Sequence, residues 1–186
     1  MSDVKILGIP GSLRKGSYNR KLIHVAQRLL PKGATKEIFD INGIPPFSED
    51  DEKNVPQKVT DFKAAIRRAD AIVFATPEYN YSIPGVLKNA IDWASRPYGD
   101  SAWMGKPAAI IGASVGRFGS ARAQYHLRQV CVYLDMDVIN QPEVMVGGAS
   151  EMFDAQGNLT HESSRESLVE LLQALVARTH LIRSAR

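Results

Sequence analysis

Three short segments carry the residues whose types and spacing could do chemistry. The first, residues 11–19 (Gly-Ser-Leu-Arg-Lys-Gly-Ser-Tyr-Asn), combines two glycines with serine hydroxyls, an asparagine amide and two cations. Glycines let a loop turn its backbone amides toward one point, and the positive end of a following helix adds to the attraction of an anion. The segment predicts a phosphate-binding loop, with a solvent-exposed polar turn as the alternative.

Two common nucleotide motifs are not matched by this loop. A Walker loop requires Lys after its second glycine, where this chain has Ser17. A dinucleotide fingerprint requires Gly-x-Gly, whereas the spacing is Gly8-x-x-Gly11. The pattern therefore favours a phosphate ligand other than a nucleoside triphosphate or a Rossmann-bound dinucleotide.

The second segment, residues 76–85 (Thr-Pro-Glu-Tyr-Asn-Tyr-Ser-Ile-Pro-Gly), has two tyrosines and two prolines. Aromatic and proline faces beside exposed backbone amides suit a planar heterocycle that needs both stacking and hydrogen bonds at its edge. Alternatively, Tyr79 and Tyr81 simply cover the edge of the core.

The third segment, residues 112–119 (Gly-Ala-Ser-Val-Gly-Arg-Phe-Gly), contains a Gly-x-Ser-x-Gly sequence centred on Ser114. Between a strand and a helix this is the nucleophile elbow of α/β-hydrolases, and Asp137 and His161 follow in the corresponding chain order. A serine hydrolase is therefore one hypothesis, although His161 is also placed as an exposed residue at a helix start. In the other interpretation, the Ser114 hydroxyl and the Gly116 amide contact the rim of the heterocycle.

Strands and helices alternate around these segments. Apolar runs predict strands at residues 4–9, 35–41, 71–75 and 107–112, and a fifth at 137–140 or 144–146. Helical spacing predicts a helix after each strand: the second is capped by Asn54, the fourth covers residues 121–135, and the last is opened by a capping box at 163–166. Strands that are apolar throughout indicate a parallel sheet covered on both faces, which places the three segments together at its carboxyl edge.

Composition excludes several classes of protein. The 186 residues predict one domain, and the lone Cys131, read as a buried apolar residue, excludes an internal disulfide or a cysteine-built metal site. The absence of a long apolar run or a signal-like start predicts a cytoplasmic protein with no membrane partner. A net charge of +3 is too small to favour nucleic-acid binding.

The three segments together resemble the NADPH-dependent FMN reductase family, in its bacterial quinone and chromate reductase branch. The resemblance spans nearly the whole chain and includes two further blocks, residues 87–93 (Leu-Lys-Asn-Ala-Ile-Asp-Trp) and 121–129 (Ala-Arg-Ala-Gln-Tyr-His-Leu-Arg-Gln). The chain departs from the family pattern at Arg117 and Phe118, which leaves the acceptor open, and it matches weakly after Gly147.

The resemblance implies a single flavodoxin-like FMN-binding domain over residues 1–186, with an α/β fold and a five-stranded parallel sheet of order 2-1-3-4-5. It implies that the phosphate and ribityl end of FMN binds at residues 12–19 and that the isoalloxazine ring binds after the third and fourth strands. The implied cofactor-binding residues are Ser12, Arg14, Ser17, Tyr18, Asn19, Pro77, Glu78, Tyr79, Asn80, Ser114 and Gly116.

The implied activity is hydride transfer from NADH or NADPH to FMN, followed by reduction of a quinone, and of chromate, a flavin or another small acceptor, at the same place. Because the two substrates would use one site in turn, ping-pong kinetics is implied. Because the cofactor carries the chemistry, no catalytic side chain is implied. The family also implies a homodimer or a homotetramer built as a dimer of dimers. The implied substrate or interface residues are Tyr81, Arg117, Arg122, Tyr125 and Glu143.

A flavodoxin-like electron carrier is the non-enzymatic alternative, but such carriers are strongly acidic and this chain is net positive. Residues 96–131 hold five cations (Arg96, Lys106, Arg117, Arg122 and Arg128) and one anion, Asp100, so this stretch alone carries +4. The sequence predicts a basic region beside the flavin that attracts anionic substrates, with a solvated helix face as the alternative for Arg122 and Arg128.

Overall fold

A central parallel sheet organises the protein, for which the computed structural model describes residues 3–185. Its strands run in the order β2-β1-β3-β4-β5, which confirms the predicted order, and β6 also pairs with β4. Their bounds are β1 Val4–Pro10, β2 Ala34–Ile38, β3 Ala71–Ala75, β4 Pro107–Ala113, β5 Asp137–Val138 and β6 Val144–Val146. All the pairings are parallel, and the order in which strands are added reverses between β1 and β3, so the crevice for a ligand opens beyond the carboxyl ends of these two strands.

The fifth position of the sheet is shared by two short strands. β5 pairs with the start of β4, at Pro107 and Ala108, while β6 pairs with its end, from Ile111 to Ala113. The two segments that the sequence offered as alternatives for the fifth strand are therefore both used.

Helices cover both faces of the sheet and divide the core in two. One cluster joins the sheet to α1, α5 and α6, and the other joins it to α2, α3 and α4. The helix bounds are α1 Tyr18–Arg28, α2 Gln57–Arg68, α3 Gly85–Ala94, α4 Ala121–Tyr133, α5 Ala149–Met152 and α6 Glu162–Ser184, with a 3-10 helix at Glu49–Lys53. β3 and β4 are buried from both sides, which explains why they are apolar throughout. The same expectation was wrong for β2, an edge strand that is partly exposed and carries Thr35, Lys36 and Glu37.

Two predicted helix starts were wrong. The second helix begins at Gln57 after Pro56, so Asn54 is not its cap; it instead closes the preceding 3-10 helix, its amide bonding to the Asp51 carbonyl. The last helix is capped by His161 and not by the predicted box at 163–166, because the His161 ring accepts from the Ser164 amide. In both cases the backbone enters the helix a few residues away from the best capping side chain.

Cys131 lies in the core cluster beneath α4, as the sequence indicates. Burial raises the pKa of the Cys131 thiol to about 12, so it stays protonated and unreactive at neutral pH. Among residues 3–185, the structure contains no helix that is both long enough and apolar enough to cross a membrane.

Candidate functional site

The carboxyl ends of β1, β3 and β4 form a crevice of about 250 Å³, to which all three predicted segments contribute. Nine of the eleven predicted cofactor-binding residues line it, and Asn80 and Gly116 do not. The lining consists of Ser12, Arg14, Ser17, Tyr18, Asn19, Pro77, Glu78, Tyr79, Ala113, Ser114 and Val115. Sequence reasoning missed Ala113 and Val115; their position on either side of Ser114, at the end of a buried strand, was the available signal.

The first loop is held against β3 and leaves its amides available. The Gly11 amide bonds to the Ala75 carbonyl at 2.9 Å, and a Cβ at Gly11 would lie 2.9 Å from Leu87. This close approach requires glycine. Within residues 3–185, the amides of Leu13, Lys15 and Gly16 donate to no protein acceptor.

Ser17 begins α1 at the base of this loop. Its hydroxyl accepts from the Arg20 amide at 3.3 Å, and the side chain is buried. The free amides belong to the loop that leads directly into the positive end of α1, and both features favour an anion.

Asn19 ties the start of α1 to the end of β4. Its Nδ2 donates to the Ala113 carbonyl at 2.8 Å, and its Oδ1 accepts from the Ala113 amide at 2.9 Å. The side chain is only 3% exposed, so this pair of hydrogen bonds is shielded from water. The structure thus uses the Asn19 amide mainly to fix the first loop relative to the third.

The second segment folds into a tight turn over Tyr79–Ser82. Each of these two residues donates its amide to the carbonyl of the other, at 2.9 and 3.0 Å. The central residues Asn80 and Tyr81 have φ of 51° and 66°, as the two-residue turns of β-hairpins require. The turn leaves Tyr79 in the crevice wall and directs Tyr81 away from it, toward α4.

Glu78 lies in the crevice wall but is engaged by α4. Its Oε2 accepts from the amides of Arg122 and Ala123 at 3.0 and 3.2 Å, and Oε1 pairs with the Arg122 guanidinium. The carboxylate therefore satisfies the first amides of α4, where a negative charge is favoured. This role joins residues 44 positions apart and has no local sequence signal.

The third loop is held by close backbone packing. A Cβ at Gly119 would lie 2.5 Å from the Met145 carbonyl carbon, and a Cβ at Gly147 would overlap the Arg117 carbonyl. The Ser114 hydroxyl accepts from the Gly116 amide at 3.1 Å, which closes a small turn at the crevice edge. The loop after β4 is thus anchored on the segment that follows β6.

The hydrolase hypothesis fails on geometry, because its three residues are bonded elsewhere. Asp137 pairs with Arg178 at 3.2 Å, and the ring of His161 hydrogen-bonds Ser164 at 2.9 Å. Ser114 accepts from a backbone amide and contacts neither of the other two. A nucleophile needs a base within hydrogen-bond reach, and that base needs an orienting group.

The predicted basic region is not concentrated at the crevice. Arg96 pairs with Glu49 and Glu52, and Lys106 donates to carbonyls at the end of α2. Arg122 is paired with Glu78, and Arg128 donates to the Ile139 carbonyl. Of the five cations, Arg117 is the one exposed at the crevice loops and unbonded within residues 3–185.

Tyr125 and Glu143, two of the implied substrate or interface residues, contact each other. The hydrogen bond to Glu143 raises the pKa of the Tyr125 hydroxyl. Both residues lie outside the crevice lining, as do Tyr81, Arg117 and Arg122. These five predicted substrate or interface residues therefore surround the site and do not form its floor.

A second cavity, of about 350 Å³, is larger than the crevice but lies elsewhere. Phe47, Arg96, Tyr98, Met104 and Tyr133 contribute to its wall, near the amino ends of β4 and β5. Ligands of open parallel sheets bind at the carboxyl ends of the strands. We therefore place the functional site in the smaller crevice, which Ser12, Ser17 and Ser114 also line.

Comparisons with known proteins find relatives that match nearly the whole chain. The model of the NADPH-dependent FMN reductase family matches residues 4–151. An NAD(P)H-dependent FMN reductase of Pseudomonas aeruginosa is 56% identical over 174 residues, which cover 93% of this chain and 94% of that protein. A 2-hydroxy-1,4-benzoquinone reductase of Burkholderia is 46% identical over 174 residues, covering 94% and 95% of the two chains.

A solved structure shows the same fold over nearly the full length. It is the flavoenzyme NAD(P)H:(acceptor) oxidoreductase FerB of Paracoccus denitrificans, with a TM-score of 0.88 and 37% identity, covering 95% of this chain and 97% of that one. The family model covers far more than half of the chain and includes all three crevice loops. On this evidence, the chain belongs to the NADPH-dependent FMN reductase family.

Proposed function

We propose that this protein is an FMN-dependent NAD(P)H:quinone oxidoreductase whose whole chain forms one FMN-binding domain. The observation that carries the proposal is the crevice, which is lined at one end by Ser12, Arg14 and Ser17 of the first loop and at the other by Pro77–Tyr79. A mononucleotide matches these two ends, because it has an anionic phosphate at one end and a planar ring at the other. Relatives named as FMN or quinone reductases support the assignment.

The charges of the crevice fit an anionic cofactor. Its one lining carboxylate, Glu78, is neutralised by Arg122 and by two amides of α4. Ser12, Ser17 and the loop amides would hold the phosphate, with Arg14 adding a cation at the rim. Pro77, Tyr79 and Ser114 would line the ring.

FMN bound there would supply the redox chemistry, accepting a hydride from NADH or NADPH and passing electrons to a quinone. The side chains of the crevice hold and orient the bound molecules and donate no nucleophile. Pro77 is buried, whereas Tyr79 is 51% exposed, so one side of the crevice stays open to solvent. Donor and acceptor would use this open side in turn, and we therefore expect ping-pong kinetics.

The purified protein is expected to be yellow and to release FMN on heating. With FMN bound, it should oxidise NADH or NADPH when benzoquinone is present, giving parallel lines in double-reciprocal plots. Visible absorbance measures the flavin, and absorbance at the nicotinamide band measures turnover. A flavin-containing protein without quinone-dependent turnover would instead be an electron carrier. Intersecting lines would exclude a shared site for the two substrates.

We infer further that the protein acts as a homodimer or a higher oligomer that uses the outer face of α4. Exposed residues recur there at helical spacing: Tyr125, His126, Gln129, Val132 and Tyr133. Val132 and Tyr133 are 80% and 77% exposed, which is unusual for large apolar side chains on one face. The stripe begins beside the crevice, because the His126 ring hydrogen-bonds Ser82 at 2.9 Å.

Replacing Val132 by Asp is expected to shift the protein to a particle of one chain, 20.5 kDa, because it puts a charge on the most exposed apolar side chain of this face. Light scattering coupled to gel filtration measures the mass. Leu181→Asp is the matched control, since Leu181 is also well exposed, at 64%, but lies on α6. A wild-type particle of one chain, or dissociation by the control alone, would reject this surface.

A further inference from the structure

An arginine stack joins the three elements that surround the ring end of the crevice. The guanidinium carbon of Arg122 lies 3.7 Å from the centre of the Tyr81 ring and 5.0 Å from that of Phe118. Tyr81 belongs to the turn after β3, Phe118 to the loop after β4, and Arg122 to the first turn of α4. One planar cation thus contacts two aromatic rings from loops that are distant in sequence.

Glu78 holds this guanidinium in place. Its carboxylate pairs with the guanidinium and also accepts the amides of Arg122 and Ala123. The Glu78 side chain is only 8% exposed, so the carboxylate is shielded from water, while the Arg122 side chain is 38% exposed. Glu78 and Tyr81 flank Tyr79, and Arg122 is therefore bound to the chain on both sides of a crevice-lining residue.

The turn that carries Tyr79 requires such support. Asn80 and Tyr81 both have positive φ, a conformation that costs non-glycine residues free energy. The hydrogen bonds between Tyr79 and Ser82 close the turn but do not fix it relative to α4. Arg122, through the Tyr81 ring and Glu78, and His126, through Ser82, supply the contacts to that helix.

We propose that Arg122 is a positioning residue that sets the affinity of the crevice for a planar ring without touching the ligand. Its planar guanidinium fixes the Tyr79–Ser82 turn against the Phe118 loop, and so fixes the walls between which the ring lies. Lysine cannot replace it, because a point charge on a flexible stem lacks the flat face and the fork of donors. The inference rests on the proposed FMN site and concerns only its ring end.

The test compares ligands that share a ring but differ in phosphate. Apoprotein is titrated with FMN and with riboflavin, and the quenching of flavin fluorescence gives the two dissociation constants. Arg122→Ala and Arg122→Lys are both expected to weaken FMN about tenfold and riboflavin by the same factor. Ser17→Ala, at the phosphate end, should weaken FMN and leave riboflavin unchanged. The visible circular dichroism of bound FMN should also change in the Arg122 variants, because the ring environment is altered.

Two controls separate positioning from general damage. Arg128→Ala removes a cation from the same helix, away from the crevice, and should bind both ligands as the wild type does. Tyr81→Leu keeps the Glu78–Arg122 pair but removes one ring of the stack, and it should weaken both ligands by a smaller common factor. Gel filtration records the mass of each variant, since α4 also carries the inferred dimer face.

Several results would overturn the inference. They are wild-type affinity in Arg122→Ala, full rescue by lysine, a loss for FMN but not riboflavin, or a loss seen only where the particle mass has changed. If Arg122→Ala does not fold, wild-type affinity in Tyr81→Leu has the same consequence. A wild-type protein that binds no FMN contradicts the proposed function itself, whereas equal binding by wild type and variants contradicts only the role of Arg122.

Discussion

Replacing Gly119 by alanine is expected to lower the free energy of unfolding by about 3 kcal/mol, because the new methyl group would overlap the backbone of β6. A Cβ there would lie 2.5 and 2.6 Å from the carbonyl carbon and oxygen of Met145 and 2.8 Å from the Val146 amide nitrogen. These atoms belong to a paired strand and cannot rotate away as a side chain would. Gly119 also has a φ of 55°, which alanine adopts at a cost of about 1 kcal/mol.

Thermal unfolding provides the measurement, with an expected fall in Tm of about 6–12 °C for a chain of this size. Gly148→Ala is the matched control, because Gly148 has a similar φ of 59° but its nearest neighbour, the Met152 methyl carbon, is 3.8 Å away. The free energy of unfolding of the control should fall only by the cost of the positive φ, about 1 kcal/mol. Equal losses in the two variants would show that backbone overlap at β6 contributes nothing.

Replacing Asn19 by alanine is expected to lower the free energy of unfolding by about 2–4 kcal/mol and to weaken FMN binding. The substitution leaves the amide and the carbonyl of Ala113 buried without partners. It also frees the start of α1, and with it the loop that we propose binds the phosphate, from the end of β4. Urea unfolding and FMN titration measure the two effects, and exposed Asn42→Ala is the control.

The stability of an Asn19→Asp variant should in addition depend on pH. An ionised carboxylate would face the Ala113 carbonyl, whereas a protonated carboxyl group can donate to it as the amide does. The pKa of the introduced carboxyl group is therefore raised by folding, and the variant should regain stability relative to wild type as pH falls from 7 toward 5. A stability difference that stays constant with pH would mean that the donated hydrogen bond is unimportant.

The three crevice loops were predictable because the central strands are apolar on both faces and are followed by glycine, proline or serine, whereas the strand order came from the family resemblance. Patterns of apolar residues and turn residues depend only on residue types that are close together in the sequence. The starts of α2 and α6 were not predictable, because Asn54 and the 163–166 box are good caps that the backbone does not use. A cap depends on where the chain enters the helix, which tertiary packing decides.

The role of Glu78 shows why parts of the site remained beyond sequence reasoning. Its position in a Pro-Glu-Tyr-Asn segment suggested a contact with the ring, but its carboxylate is held by α4. The charge count over residues 96–131 was misleading for a similar reason: it summed cations that lie at opposite ends of the sheet. Counts along the chain contain no information about which end of a strand a residue occupies.

The division of the last sheet position into β5 and β6 affects how the protein opens. Strands of two and three residues close few ladder bonds, so this edge should exchange its amide hydrogens with solvent through small local fluctuations. The middle of the sheet, where β1 pairs with both β2 and β3 along most of its length, should exchange only when the whole molecule unfolds. The loop at residues 11–17, which we propose holds the phosphate, follows directly from β1, so its attachment point should be among the last parts of the structure to open.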